Sequence, residues 1–367
     1  MQEEKKIKVL FISHSFPPVV GGVESQNFEL YTWLSKFARV KLIANRNRKL
    51  LPIFLPCSVL RAVWMMKDFD VLILGSALLA PAGWLVKKIN RKPVIAVAHG
   101  LDLTWKNKFY QKFWVQFFIP KLDKLIAVGN ETIRVGIKRG ISEEKMIFIP
   151  NGVDVEKYVN NFNRDKLDNL LNQKTENKNI LLTSGRLARR KGVAWFIRNV
   201  MPQLSENFIY VVAGNGPDKE NVLSAVKEKK LEERVFVLGY VEDDVRDMLF
   251  STCDLFVQPN IKIAGDMEGF GISVVEAGAC EIPVLASDLE GLKDAIKEGQ
   301  NGFLVEPENS KSYTEKINKL FEDKTELRNF GKQARQFVVD NYSWEIIVRR
   351  YLEEIKSVSG EKDKLEK

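Results

Sequence analysis

Short apolar runs rich in β-branched residues recur along the chain with helical stretches between them. The first series is Lys8–Ile12, Val40–Ala44, Val71–Leu74, Val94–Ala98, Leu125–Val128 and Met146–Ile149; the second is Ile180–Ser184, Ile209–Ala213, Val235–Leu238, Leu255–Val257, Val284–Ala286 and Phe303–Val305. Short strands alternating with helices predict parallel sheets covered on both faces, so the fold class is α/β with two doubly wound, Rossmann-like domains. Tyr158 to Asn179 is dominated by Asn, Lys and Asp and reads as a linker, which places the domains at 1–177 and 178–342. The segment after Gly360 has nothing to bury. In such folds ligands bind beyond the carboxyl ends of the strands, so two domains facing each other would share a cleft there.

A chain of 367 residues with 45% hydrophobic and 28% charged residues fits two globular domains. The formal net charge of +8 favours anionic ligands, whether phosphates, anionic lipid or nucleic acid. Cys57, Cys253 and Cys280 are scattered and lack C-x-x-C spacing, which argues against a disulfide framework or a zinc site and fits a reducing cytoplasm. The apolar stretch Ile7–Ile12 is too short for the core of a signal peptide. Val71 to Val86 is the most membrane-like run, yet it carries Gly75, Pro81 and Gly83 and reads as strand, loop and helix.

The candidate chemistry lies just after the strands. Glu268-Gly-Phe-Gly-Ile-Ser-Val-Val-Glu276 places two carboxylates around a glycine-rich turn that opens a helix, a site for a ligand carrying both phosphate and polyol. The same residues also read as a capping box, with Ser273 capping the helix and Glu276 completing it. Gly21-Gly22 after the first strand would let backbone approach a diphosphate, or would simply form a turn. His99-Gly-Leu-Asp102 follows the fourth strand, where a histidine can donate to a sugar hydroxyl or phosphate, or is simply a satisfied structural residue. In Gly185-Arg186-Leu-Ala-Arg-Arg-Lys191-Gly192, Arg186 and Lys191 can neutralise two phosphates, while Arg189 and Arg190 read as a solvated basic loop. G-x-G-x-x-G and G-x-x-x-x-G-K-[ST] are both missing, which argues against NAD-binding and P-loop sites.

Together with Gly214-Asn-Gly-Pro217 and Pro150-Asn-Gly-Val-Asp154, these motifs resemble, in order from about Lys8 to Leu352, the retaining GT-B glycosyltransferases of family 4. The resemblance implies a donor site in the second domain, an acceptor site in the first, and a terminal helix at about 343–358, beginning Ser343-Trp344-Glu345, that packs back on the first domain. Glu268 would contact the donor sugar, Glu276 the ribose, and Arg186 and Lys191 the diphosphate. The backbone of Gly22, Gly269, Phe270, Gly271, Ile272 and Ser273 would meet phosphates and sugar; His99 would lie beside the transferred sugar, and Val241 near the base. It further implies a UDP- or GDP-linked hexose donor, a saccharide or lipid-linked acceptor, and no metal or other cofactor. Two departures touch the loops: Glu281 stands where the family usually has glycine, and Glu290-Gly291 replaces a frequent glycine pair. Asp68-Phe-Asp70 spells a D-x-D but runs straight into a strand, and Glu242-Asp-Asp244 reads as a helix start.

Trp105, Phe109, Phe113 and Phe117 recur at four-residue spacing beside Lys106, Lys108 and Lys112. Packing against the sheet is the favoured reading, and a face resting on anionic lipid, with the protein peripheral on the inner side of a membrane, is the alternative. Two other classes remain open: a nucleotide-sugar epimerase or hydrolase, poorly furnished with only His14 and His99, and a basic nucleic-acid-binding protein, disfavoured because the basic residues are dispersed and form no recognised module.

Overall fold

The computed structural model describes residues 6–19, 21–157 and 163–360; the expectation for the segment after Gly360 lies outside them, as does part of the expected linker. The chain divides into two compact units. The first comprises residues 1–152 and 344–367, the second Val153–Ser343.

The first unit holds a parallel sheet in the order β2-β1-β3-β4-β5-β6, built from β1 (Lys8–Ser13), β2 (Arg39–Ala44), β3 (Val71–Leu74), β4 (Val94–Ala98), β5 (Lys124–Ala127) and β6 (Met146–Phe148). The central strands β3 and β4 are wholly buried, as continuous apolar runs covered on both faces require. Helices α1 (Gly22–Phe37), α2 (Leu51–Met65) and α3 (Ala80–Asn90) are the crossovers after the first three strands. Asp70 accepts the backbone N–H of Lys8 at 2.9 Å and so pins β3 to β1, which makes it the strand-edge residue the sequence suggests.

The second unit repeats the plan in the order β12-β11-β10-β7-β8-β9, with β7 (Asn179–Ser184), β8 (Phe208–Ala213), β9 (Val235–Gly239), β10 (Leu255–Gln258), β11 (Val284–Ser287) and β12 (Phe303–Val305). All its strand pairs are parallel as well. Strand order reverses between β1 and β3 in the first sheet and between β7 and β10 in the second. These are the switch points where neighbouring loops diverge and leave a crevice.

Three expectations change. The boundary lies at Gly152/Val153 and not at 177/178, because the helix Arg164–Leu171 buries Leu167 and Leu171 in the second unit and Arg164 pairs with Asp254 there. Secondly, the most membrane-like segment is Arg48–Asp68, not Val71–Val86, which folds as the buried β3, a short turn and α3. Finally, the four-spaced aromatics are not core. Gln111–Phe118 is π-helical, and its wider turn directs Tyr110, Val115 and Ile119 inward while Trp105, Phe109, Phe113 and Phe117 stay exposed.

The terminal helix Trp344–Ser359 belongs to the first unit, burying Trp344, Ile347, Val348, Tyr351 and Ile355.

Candidate functional site

In the second unit, β7 runs into a loop that only glycine allows at its close approaches. A Cβ on Gly192, which is left-handed at φ +66°, would overlap the carbonyl oxygen of Pro259, and one on Gly214 would overlap that of Gly185. The backbone N–H of Ile261 donates to the carbonyl of Arg190 at 2.8 Å, binding the loop after β7 to the loop after β10. The switch point therefore holds Arg190 and Lys191 against the segment that leads to Glu268.

Glu268 is buried, and Lys191 Nζ lies 2.6 Å from its Oε2. Arg190 Nε approaches the same oxygen at 3.6 Å while its Nη1 pairs with Asp266 at 3.2 Å. Asn260 Nδ2 donates to Glu268 Oε2 at 3.2 Å, Gln258 Nε2 donates to Asn260 Oδ1 at 2.6 Å, and Ser273 Oγ donates to Gln258 Oε1 at 3.3 Å. Every hydrogen in this chain points toward the carboxylate, the polarity an anion at its end demands. Burial alone would raise the Glu268 pKa, but the Lys191 ammonium, the Arg190 guanidinium and the hydrogen bonds from Lys191 and Asn260 outweigh it and hold the group at about 2. Glu268 is ionised at neutral pH.

The glycine turn before the helix Ile272–Ala279 departs from one reading. Gly271, left-handed at φ +88°, is the N-cap, and Ser273 donates to Gln258 and caps nothing, so the capping box does not form. Glu276 lies half-buried in the second turn of that helix. Arg186 is exposed and outside the Glu268 network, and Val241 lies beyond the edge strand β9, just before the helix Asp243–Thr252. The expectation that Arg190 is solvated fails, since it is mostly covered and doubly paired. Glu281 and Glu290 both have positive φ, 61° and 49°, which is why glycine suits those positions. Glu290 gains a compensation: its Oε2 accepts the backbone N–H of Glu268 at 2.7 Å.

In the first unit, the loops after β1, β3 and β4 meet around Asp102. Its Oδ2 accepts from Ser76 Oγ, Ala77 N and His99 N at 3.2, 3.1 and 3.3 Å. His99 Nε2 lies 2.9 Å from the carbonyl oxygen of Gly75, which can only accept, so Nε2 carries the proton. In the neutral form of the ring this leaves Nδ1 as an acceptor, where the sequence suggested a donor. His14 stands at the end of β1, its Nδ1 buried without a partner. Burial lowers its pKa, against the pull of Asp102, with the charges of His99 and Arg48 lowering it further and Glu24 raising it. Gly22 opens α1, and Glu24 in the first turn accepts from Ser15 Oγ at 2.6 Å and from Arg48 at 3.0 Å.

Sequence reasoning missed Gln258, Asn260, Arg190 and Glu290, and assigned no role to His14 or Asp102. Gln258 and Asn260 carried a usable signal: polar residues at the carboxyl end of an apolar strand, the position that singled out His99. Among the described residues no three His, Cys, Asp or Glu side chains gather as a metal ion would need.

Two doubly wound domains with such switch-point loops define a class, the GT-B glycosyltransferases. Residues 168–337 match the family model described as Glycosyl transferases group 1, and residues 2–157 that described as Glycosyltransferase Family 4. An N,N'-diacetylbacillosaminyl-diphospho-undecaprenol alpha-1,3-N-acetylgalactosaminyltransferase of Campylobacter jejuni is 30% identical over 70% of this chain and 68% of its own. The capsular polysaccharide biosynthesis glycosyltransferase CapM of Staphylococcus aureus is 23% identical over 95% of each chain. The structure of Anabaena Alr3699/HepE in complex with UDP-glucose superposes with a TM-score of 0.77 at 21% identity, over 96% of this chain and all of that one. The chain belongs to the glycosyl transferases group 1 family and is a glycosyltransferase.

Proposed function

We propose that the chain transfers a hexose-type sugar from a UDP- or GDP-linked donor to a hydroxyl of a lipid-linked saccharide or polysaccharide precursor, with retention and without a metal ion. The observation that carries this reading is the buried, ionised Glu268 held by Lys191 and Arg190 at the switch point of the second sheet. A carboxylate so placed accepts sugar hydroxyls, and it holds Lys191 so that the remaining ammonium protons face the diphosphate. Negative charge grows on that diphosphate as its bond to the sugar breaks, so fixed cations favour the transition state over the ground state. The solved neighbour that holds UDP-glucose and the Campylobacter relative named for a diphospho-undecaprenol substrate support the donor and acceptor classes.

In the reaction the bond from the anomeric carbon to the β-phosphate oxygen breaks, and one to the acceptor oxygen forms on the same face. The acceptor proton passes to the departing diphosphate. Glu276 is assigned to the ribose hydroxyls, Arg186 to the diphosphate once it is bound, Val241 to the base, and the backbone of Gly22 and Gly269–Ser273 to phosphates and sugar. His99, fixed by Gly75, accepts a sugar hydroxyl through Nδ1. A panel of nucleotide sugars scored by calorimetry, followed by transfer to extracted lipid-linked acceptors with a chelator present, tests the reading. One nucleotide sugar should bind with micromolar affinity and be consumed only with acceptor; consumption without acceptor would favour an epimerase or hydrolase, and loss of transfer with the chelator would refute metal independence.

A further inference from the structure

Large exposed apolar side chains are concentrated in one region of the first unit. Of sixteen among the described residues, eleven fall between Leu50 and Phe117, and the second unit has only Leu170 and Tyr240. The segment Arg48–Asp68 is largely uncovered: within α2 just Ser58 and Ala62 reach the interior, while Ile53, Leu60 and Trp64 are 64%, 73% and 70% exposed. The layer is continuous, since Asn90 Nδ2 on α3 donates to the Val63 carbonyl on α2 and Trp84 on α3 meets Phe117 of the π-helix edge to face.

Net positive charge accumulates in the same stretch, because acidic residues are scarce there while the dispersed basic ones are not. Residues 41–122 carry fourteen Lys and Arg against Asp68, Asp70 and Asp102, a balance of +11 that exceeds the +8 of the whole chain and leaves −3 for the rest. Asp70 and Asp102 are turned inward to backbone N–H groups. Lysines flank the rings of this layer: Lys67 lies over the exposed Trp64, Lys121 over the exposed Phe117, and Lys88 over the half-buried Trp84. A cavity of about 340 Å³ between β2 and α2 adds Arg46 and Arg61 to its lining of Leu42, Phe54 and Cys57.

We propose that α2, α3 and the π-helix dock the first unit on an anionic lipid bilayer, with the aromatic and aliphatic side chains at the acyl boundary and the lysines and arginines among the phosphates. Apolar surface rimmed by cations fits that interface and no aqueous role. Although Arg48–Asp68 has the length of a membrane span, α2 is the crossover from β2 to β3 within one sheet, so it lies on the membrane and does not cross it. A second copy of this face would bring +11 against +11, which disfavours self-association. The docking goes beyond the proposed transfer reaction and stands on this surface alone.

Flotation with phosphatidylcholine vesicles, with and without phosphatidylglycerol, tests it on the full chain. The wild type should float with the anionic vesicles at low salt, be released by high salt, and stay behind with phosphatidylcholine alone. Ile53→Asp, Leu60→Asp and Trp64→Asp together should lower the partition at least about tenfold, because three exposed apolar anchors are lost, whereas Tyr240→Asp on the second unit should leave it unchanged. UDP and GDP titrations of the same proteins separate the two proposals, and an unaltered calorimetric transition of the first unit in the triple variant shows that this unit is folded. A wild type that stays at the bottom with anionic vesicles, one that floats equally with neutral vesicles, or a triple variant that floats like the wild type would each overturn the docking. Vesicle binding with no nucleotide binding would overturn the donor site and leave the docking standing.

Discussion

At the scale of single residues, Glu268, the proposed sugar contact, is also a stabilising group, and pH separates the two roles. Its folded pKa of about 2 is below the ordinary 4.5, so the unfolded chain binds the proton first on acidification. The contribution is fully present above about pH 4.5 and disappears as pH falls toward 2, a loss on the order of 3 kcal/mol. In Glu268→Gln, transfer should fall by about a hundredfold, the size of effect seen when a single transition-state contact is removed, and urea denaturation should show a flatter acid limb below pH 4.5; wild-type turnover in this variant would remove Glu268 from the reaction. His14 acts with the same sign at higher pH. Because its folded pKa lies below 6.5, acidification through 6.5 protonates the unfolded chain preferentially and costs stability. His14→Gln should therefore flatten the melting temperature between about pH 6.5 and 5. Glu268 and Lys191 were legible in the sequence because glycine spacing marks them. Asn260 and Arg190 were not, since nothing in a linear string says that the loops after β7 and β10 are bound together by the Ile261 to Arg190 hydrogen bond.

Among elements, the strands were the most legible because burial on both faces imposes unbroken apolar runs, and all twelve form. Helical faces were harder to read. The aromatic run from Trp105 was read with an α-helical period, whereas its π-helical turn carries Val115 inward and leaves Phe113 and Phe117 out. The loops show where glycine geometry decides. Gly192→Ala would drive a methyl into the Pro259 carbonyl, separate the two loops and displace Lys191 from Glu268. We expect at least about 2 kcal/mol of destabilisation and loss of nucleotide binding by calorimetry. The opposite change belongs at Glu281, a non-glycine residue at φ 61°. Glu281→Gly relieves left-handed strain of about 1–2 kcal/mol and gives back about 0.5–1 in chain entropy, so chemical denaturation should show a small gain. Glu290→Gly should not, because it also deletes the acceptor for the Glu268 N–H.

On the scale of the whole molecule, net charge and its accumulation in residues 41–122 could be counted in the sequence, but the exposure of the apolar side chains beside it could not, and the boundary was misread because Leu167 and Leu171 make only one short apolar stripe amid polar residues. The chain passes between units at Gly152/Val153 and again at Ser343/Trp344. The second unit closes before that last crossing: the Val153 N–H donates to the Tyr342 carbonyl at 2.8 Å, and Tyr342 Oη donates to Asp294 O at 2.8 Å. The first unit, by contrast, depends on the helix beyond it. Trp344 packs on Gly152 with no room for a Cβ, Ile347, Val348, Tyr351 and Ile355 are fully buried, and Arg350 donates to the Phe148 carbonyl at 2.7 Å. At roughly 1.5–3 kcal/mol for each buried large side chain, these five contribute on the order of 10 kcal/mol. That is comparable with the entire stability of a domain. A chain ending at Ser343 should therefore lose the calorimetric transition of the first unit and keep that of the second, with nucleotide binding preserved in the surviving transition. Retention of both transitions would show that the terminal helix covers the first unit without supporting it.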